Sequence, residues 1–162
     1  MQFQLNGRPC QPDLPAEYPL LSALRNHLGL HSPRWGCGLE QCGACHVMVE
    51  GQSVPACTRT LGDVADKQLH TPECGDAHSR DATAQIFAAL QDAFLAEEAA
   101  QCGYCTSGLL VSAAALLRRQ PQPTEHEVRQ ALDAHLCRCG AHQRVLRAVQ
   151  RAAHTLATRE AA

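Results

Sequence analysis

Cys37-x4-Cys42-x2-Cys45, with Cys57 after eleven intervening residues, makes one set of four thiols. Cys102-x2-Cys105 and, after a gap of 31 residues, Cys137-Arg138-Cys139 make a second. Four thiolates are the ligand count of a 2Fe–2S cluster, and the first spacing is that of plant-type iron–sulfur loops. The chemistry in view is therefore one-electron transfer. Ten cysteines also permit five disulfides, but Cys-x-Cys and Cys-x2-Cys pairs are hard to bridge without strain. A zinc tetrahedron is the rival for the second set, although its Cys-x-Cys half is less usual. A ferredoxin-type set in the same chain tips the second towards iron and sulfur.

A 2Fe–2S core with four thiolates carries a formal charge of about −2, which becomes about −3 on reduction. Burying it requires hydrogen-bond donors aimed at sulfur. Gly36, Gly38 and Gly43 interleave the first three ligands, which lets the loop wrap closely and turn backbone N–H groups inward. The second set is expected at the starts of two helices, where free N–H groups favour negative charge. Residues two apart do not share a helix face, so Cys137-Arg138-Cys139 must be a turn or a helix entry. Cys10 and Cys74 fall outside both sets and read as ordinary free thiols. The nine histidines, His46 and His135 included, read as surface or packing residues. Arg138, Arg144, Arg147 and Arg151 form a basic stripe that reads as a solvated helix face, and Trp35 as a packing residue.

The elements that must position these thiols differ between the halves. In residues 1–74, Phe3 and Leu5 alternate with polar residues, and Asn6-Gly7 signals a hairpin. Leu20, Leu21, Leu24 and Leu28 recur at helical spacing, with Gly29 as the stop. His46–Val49 and Val54–Cys57 read as a strand pair about Gly51-Gln52. Residues 71–80 carry the turn residues of a linker. In residues 75–162, Ile86, Phe87, Leu90, Phe94 and Leu95 mark an amphipathic helix, and Leu109–Leu117 a nearly continuous apolar one. Thr124 and Glu127 form a capping box opening a third helix. Val145, Leu146, Val149 and Leu156 give a fourth, with an Ala-rich tail over 152–162 expected to fray. The expected fold is α+β: a small sheet crossed by one helix, then a four-helix bundle.

Composition excludes several classes. A formal charge of −2 with no basic block offers no footprint for nucleic acid. No run approaches the ~20 apolar residues of a membrane span, and the N-terminus lacks a signal peptide's pattern. Aromatic residues are only 4%, so the core must rest on Ala, Leu and Val. No strand-to-helix G-x-G-x-x-G, P-loop or separate acid–base pair is present. Substrate chemistry must therefore happen on another chain, and none of these residues is expected to be catalytic.

Gly36-Cys37-Gly38-Leu39-Glu40-Gln41-Cys42-Gly43-Ala44-Cys45, Gln101-Cys102-Gly103-Tyr104-Cys105 and Leu136-Cys137-Arg138-Cys139-Gly140 together resemble the iron–sulfur subunit of the molybdenum hydroxylases. That family includes xanthine dehydrogenase, aldehyde oxidoreductase, isoquinoline 1-oxidoreductase and nicotinate dehydrogenase. The resemblance covers nearly the whole chain. It implies a β-grasp ferredoxin-like domain over 1–74 and a helical cluster domain over 75–162. It implies two 2Fe–2S clusters, the first held by Cys37, Cys42, Cys45 and Cys57, the second by Cys102, Cys105, Cys137 and Cys139. The implied partner is a large subunit that binds molybdopterin, often as a cytosine dinucleotide, and hydroxylates a substrate carbon with oxygen from water. Electrons would pass through the helical-domain cluster, then the ferredoxin-domain cluster, to a flavin subunit or a cytochrome c. Gln101 would hydrogen-bond the pterin, and Cys139 would couple the inner cluster to it. The place of action would be the cytoplasm, or the periplasm by co-export with a partner. Ser107, Gly140-Ala141-His142, His135 and His46 depart from the commonest pattern, where Pro, Thr-Gly-Tyr, Asn and Thr are frequent. A free-standing 2Fe–2S carrier or redox sensor and a zinc-stabilised interaction module are the alternatives.

Overall fold

Asn6 and Gly7 both take positive φ, 51° and 77°, and turn strand β1 (Phe3–Leu5) back onto β2 (Arg8–Cys10). Glu50 and Gly51, at 49° and 79°, do the same between β3 (His46–Val49) and β4 (Gln52–Pro55). Both are the mirror-image turns that match strand twist, and positive φ at both centres favours Asn and Gly. A computed structural model describes residues 1–160 of the chain.

A fifth strand, β5 (Gln68–His70), has no sequence signal, because three residues give no period to read. It completes the sheet, whose order is β2-β1-β5-β3-β4, by running parallel to β1 and antiparallel to β3. The crossing helix α1 (Leu20–Ser22) continues as a wider π-helical turn (Ala23–His27), and Gly29 follows at φ 68°. Leu20, Leu21 and Leu24 are fully buried against Phe3, Val47, Leu61 and Leu69.

The rest is helical: α2 (Ala82–Ala96), α3 (Thr106–Arg119), α4 (Glu125–Leu132) and α5 (His142–Glu160). The capping box at Thr124 and Glu127 is formed as read. Phe87, Leu90, Leu109, Leu116, Val128 and Val149 pack with a large complement of alanines, so small side chains supply the volume that aromatics usually would. Met48, on β3, belongs to this helical core, whereas its neighbour Val47 belongs to the sheet core. One strand thus serves both cores through its alternating faces.

Three expectations need correction. Leu95 does not pack inward but is 78% exposed, because it falls on the outer side of α2 near its end. The tail does not fray over 152–160: α5 runs to Glu160, with Ala152 and Ala153 buried in the helical core. The remainder, 161–162, lies outside the described residues. Trp35 packs only in part: its ring lies against Gly38, and the side chain is otherwise exposed.

Asp81 ties the two layers. Its carboxylate caps α2 by accepting from the Thr83 N–H at 2.8 Å, and the other oxygen contacts His70 Nε2 of β5 at 2.9 Å. Burial works to raise its pKa, but the Thr83 N–H and His70 prevail and hold it below the ordinary carboxylate range. A depressed folded pKa gives stability that is present above the unfolded value of about 3.9 and lost as pH falls through the folded one. Asp81→Ala should therefore cost about 1 kcal/mol at neutral pH, the usual scale of a lost N-cap. The gap in thermal unfolding between the two proteins should close below about pH 4; a gap independent of pH would contradict this account.

Candidate iron–sulfur centres

Loop 36–45 wraps its own sulfurs. Cys37 Sγ accepts the backbone N–H groups of Leu39 at 3.3 Å and Gln41 at 3.2 Å, and Cys42 Sγ accepts that of Cys37 at 3.4 Å. The Leu39 and Gln41 donors lower the exposed Cys37 thiol to about 7. A Cβ on Gly36 would meet Cys42 Sγ at 2.5 Å, so only glycine leaves the sulfur its place. Gly38 and Gly43 have φ of 69° and 74° and give the loop its curl. Cys45 is buried at the head of β3, and Cys57 follows β4, which brings it alongside. Burial first, and then the neighbouring Cys57, raise the Cys45 thiol to about 11 against the N–H groups of Cys57 and Ala56.

The helical set is built on the same plan. Cys105 is the N-cap residue of α3. Burial first, and then Cys137 beside it, push its thiol up to about 12. Cys102 is exposed and pulled down, chiefly by the Tyr104 N–H and then by Cys139. Burial opposes ionisation of Cys137, but the N–H groups of Ala141, Cys139 and Gly140, together with the Cys105 thiol, bring it below its ordinary value. Those backbone donors lie in the turn that opens α5, as expected for an anion at a helix start.

Each set's thiols are mutual neighbours, the nearest partners being Cys37 with Cys42, Cys45 with Cys57, Cys102 with Cys139 and Cys105 with Cys137, while Cys102 in the helical set also feels Cys137 and Cys105. Among the described residues, no three His, Cys, Asp or Glu side chains gather as for a single ion. Two pairs per set is the donor arrangement for two irons with two thiolates each. Backbone donors aimed at sulfur and a cradle that a Cβ would fill suit a bound cluster.

The two sets are neighbours. The Leu136 N–H donates to the carbonyl of Cys42 at 3.2 Å, and Gly36, Cys37, Cys42, Cys102, Cys105 and Cys137 line one cavity. Trp35, Leu39, Tyr104 and Leu136 form exposed apolar neighbours of these thiols. The Tyr104 hydroxyl donates to the Trp35 carbonyl, and Arg34 lies 5.6 Å from the Tyr104 ring centre. Gln101 is exposed immediately before Cys102. Cys10 and Cys74 line a separate cavity of about 710 Å³, and burial raises both thiols, Cys74 to about 12.

Sequence reading missed a partly buried polar chain between the sets. His46 Nδ1 bonds Ser53 at 2.7 Å, Ser53 bonds Ser112 at 2.8 Å, and Ser112 bonds His135 Nε2 at 2.6 Å. His135 is 3% exposed, and burial, aided by His46, lowers it to about 4. The basic stripe is also more than a solvated face. Glu97 pairs with Arg147 and Arg151, and Glu98 with Arg144. Among the described residues, no helix is long and apolar enough to cross a membrane.

Comparison with known proteins agrees with this geometry. Residues 3–74 match the profile of the 2Fe-2S iron-sulfur cluster binding domain, and residues 77–150 that of a second 2Fe-2S binding domain. The chain is 43% identical to one of the subunits of nicotinate dehydrogenase from Pseudomonas putida, over 96% of this chain and 95% of that one. It is 41% identical to the alpha subunit of isoquinoline 1-oxidoreductase from Brevundimonas diminuta, over 94% and 97%. A chain of quinoline 2-oxidoreductase from Pseudomonas putida 86 superposes with a TM-score of 0.85 at 29% identity, covering 99% of this chain and 95% of that one. Aldehyde oxidoreductase from Desulfovibrio desulfuricans superposes at 0.86 with 34% identity, covering 97% of this chain and 17% of that much longer one. With its two cluster-binding regions and its relatives spanned nearly end to end, the chain belongs to the 2Fe–2S iron–sulfur subunits of the molybdenum hydroxylases.

Proposed function

We propose that this chain is the electron-transfer subunit of a molybdenum-containing hydroxylase or dehydrogenase, with a ferredoxin-like domain over 1–74 and a helical cluster domain over 75–162. Cys37, Cys42, Cys45 and Cys57 hold the outer cluster, and Cys102, Cys105, Cys137 and Cys139 the inner one. Bound clusters supply one-electron carriers, so the chain conducts from the molybdopterin site of a large subunit, inner site first, to a flavin or cytochrome c acceptor. The observation that carries this reading is the nearest-partner pairing of thiols in both sets.

The protein's own part is electrostatic and positional. N–H groups of Leu39, Gln41, Tyr104, Ala141 and Gly140 face the sulfurs and offset the negative charge that ionised thiols bring. Gln101 and Cys139 contact the pterin, which we take to be a cytosine dinucleotide; Gln101 is exposed and Cys139 lies beside Cys102 at the same surface. The exposed apolar residues Trp35, Leu39, Tyr104 and Leu136 favour a covered subunit over a free carrier.

Native purification with metal analysis tests the assignment. The chain should co-purify with a larger, molybdenum-containing chain and carry about four irons and four sulfides, with two distinct 2Fe–2S signals on reduction. Zinc with no visible absorption would refute cluster binding. Full iron content in an isolated monomer would favour the free-standing carrier.

A further inference from the structure

His135 stands between the loop that carries Cys42 and Cys45, the first turn of α3 after Cys105, and the segment that leads to Cys137. On one side is Gly43, between ligands Cys42 and Cys45: a Cβ there would come well inside 3.0 Å of the ring, at Nδ1, Cε1 and Cγ alike. On the other side is Gly108, three residues after Cys105: a Cβ there would meet the Gly43 carbonyl and, at 3.2 Å, His135 Nδ1. The ring therefore fills a notch that two glycines leave open. Its far nitrogen, Nε2, is fixed by Ser112, and the chain through Ser53 ends on His46, the residue after Cys45. The ring of His46 meets that of His135 edge-on, with centroids 4.9 Å apart. One residue along, the Leu136 N–H holds the Cys42 carbonyl, and Cys137 follows.

We propose that His135 is a positioning residue for electron transfer between the two sites, setting the separation of loop 42–45 from the start of α3 and from Cys137. The proposal rests on the reading that both sets carry clusters. Interiors transmit displacement because they are close-packed, and a planar ring fixed at one end and walled in by backbone cannot slide as a longer side chain could. Side-chain hydrogen bonds running from one half of the molecule to the other make the junction specific in orientation as well as in distance. A residue that merely filled space would affect stability and leave the relation between the clusters untouched.

The experiment uses the cluster-loaded complex with its large subunit. It compares the unsubstituted protein with His135→Ala and Ser112→Ala. Electron paramagnetic resonance of the fully reduced complex reads each cluster's own signal and the spin–spin splitting between them. Pulse radiolysis reads the rate at which one electron redistributes. In His135→Ala both signals should persist, the splitting should shrink, and redistribution should slow about tenfold to a hundredfold, the scale on which a misplacement of about 1 Å acts in a positioned reaction. Ser112→Ala, which frees Nε2 but keeps the ring, should move both readouts the same way by less, and decides the matter if His135→Ala fails to load. Unchanged splitting and rate in a loaded variant, even with a lowered melting temperature, overturn the proposal. Absence of two signals in the unsubstituted complex instead overturns the functional reading beneath it.

Discussion

Cys105→Ser should abolish the inner cluster and leave the outer one intact. Cys105 is half-buried against the helical core, placed at the N-cap of α3 beside Cys137. Its thiol is held up to about 12 by burial and by its neighbours' charge, so it ionises only when metal takes the proton's place. A serine hydroxyl there is a harder and shorter donor facing the same desolvation, and soft thiolate is what an iron–sulfur site selects. The reduced complex should show one 2Fe–2S signal in place of two, and roughly half the iron should be lost. Turnover with the physiological acceptor should fall to near zero, since the conducting path begins at that site. The outer set should be spared because its four sulfurs come from residues 37–57 and its N–H donors from that same loop. Loss of both signals together would contradict two independently built sites.

Gly108→Ala should be strongly disruptive despite being, on helix propensity alone, an improvement of about 1 kcal/mol. Gly108 lies in the first turn of α3, where its φ is not in the left-handed region, so an alanine meets no backbone strain. What it meets is the Gly43 backbone: the carbonyl carbon at 3.0 Å and the oxygen closer still. No flexible side-chain end stands there to give way, and the Gly43 carbonyl is fixed in a loop curled at positive φ between two ligands. Overpacking of a closed contact costs about 1–3 kcal/mol, which outweighs the propensity gain. The melting temperature should drop, and both cluster signals should broaden, because the contact joins the two sites. A rise in melting temperature would mean that α3 and the loop do not touch.

The chain was legible in unequal parts, for physical reasons. The eight cysteines stood out as two sets because their grouping is local: Cys37 to Cys45 lie within one loop, and Cys-x-Cys forces a turn. The four helices announced themselves through periods of Leu, Val and Phe and through the box at Thr124. Strand β5 did not, since Gln68-Leu69-His70 is too short for a pattern and is a strand only because β1 and β3 flank it. The polar chain was also invisible. His46, Ser53, Ser112 and His135 are ordinary residues far apart in sequence, and nothing local says that Ser53 and Ser112 meet. Leu95 misled because it is apolar yet sits on the outer side of α2, next to the buried Ala93 and Phe94 but facing away from them. The arginine stripe was seen, but its partners Glu97 and Glu98 lie across the fold on another element.

The unequal thiols of the outer set also bear on how this protein fails. Cys37 is open to solvent, and its thiol is lowered to about 7, whereas Cys45 is buried and raised to about 11. Thiolate character and access govern attack by peroxide and by alkylating reagents. Within that set, in a chain that has not received its metal, damage is therefore expected at Cys37 before Cys45. An acceptor needs that same openness to approach the outer site. The conducting end of the molecule is thus also its shelf-life, and a cell that makes this chain must fill the loop before oxidants find it.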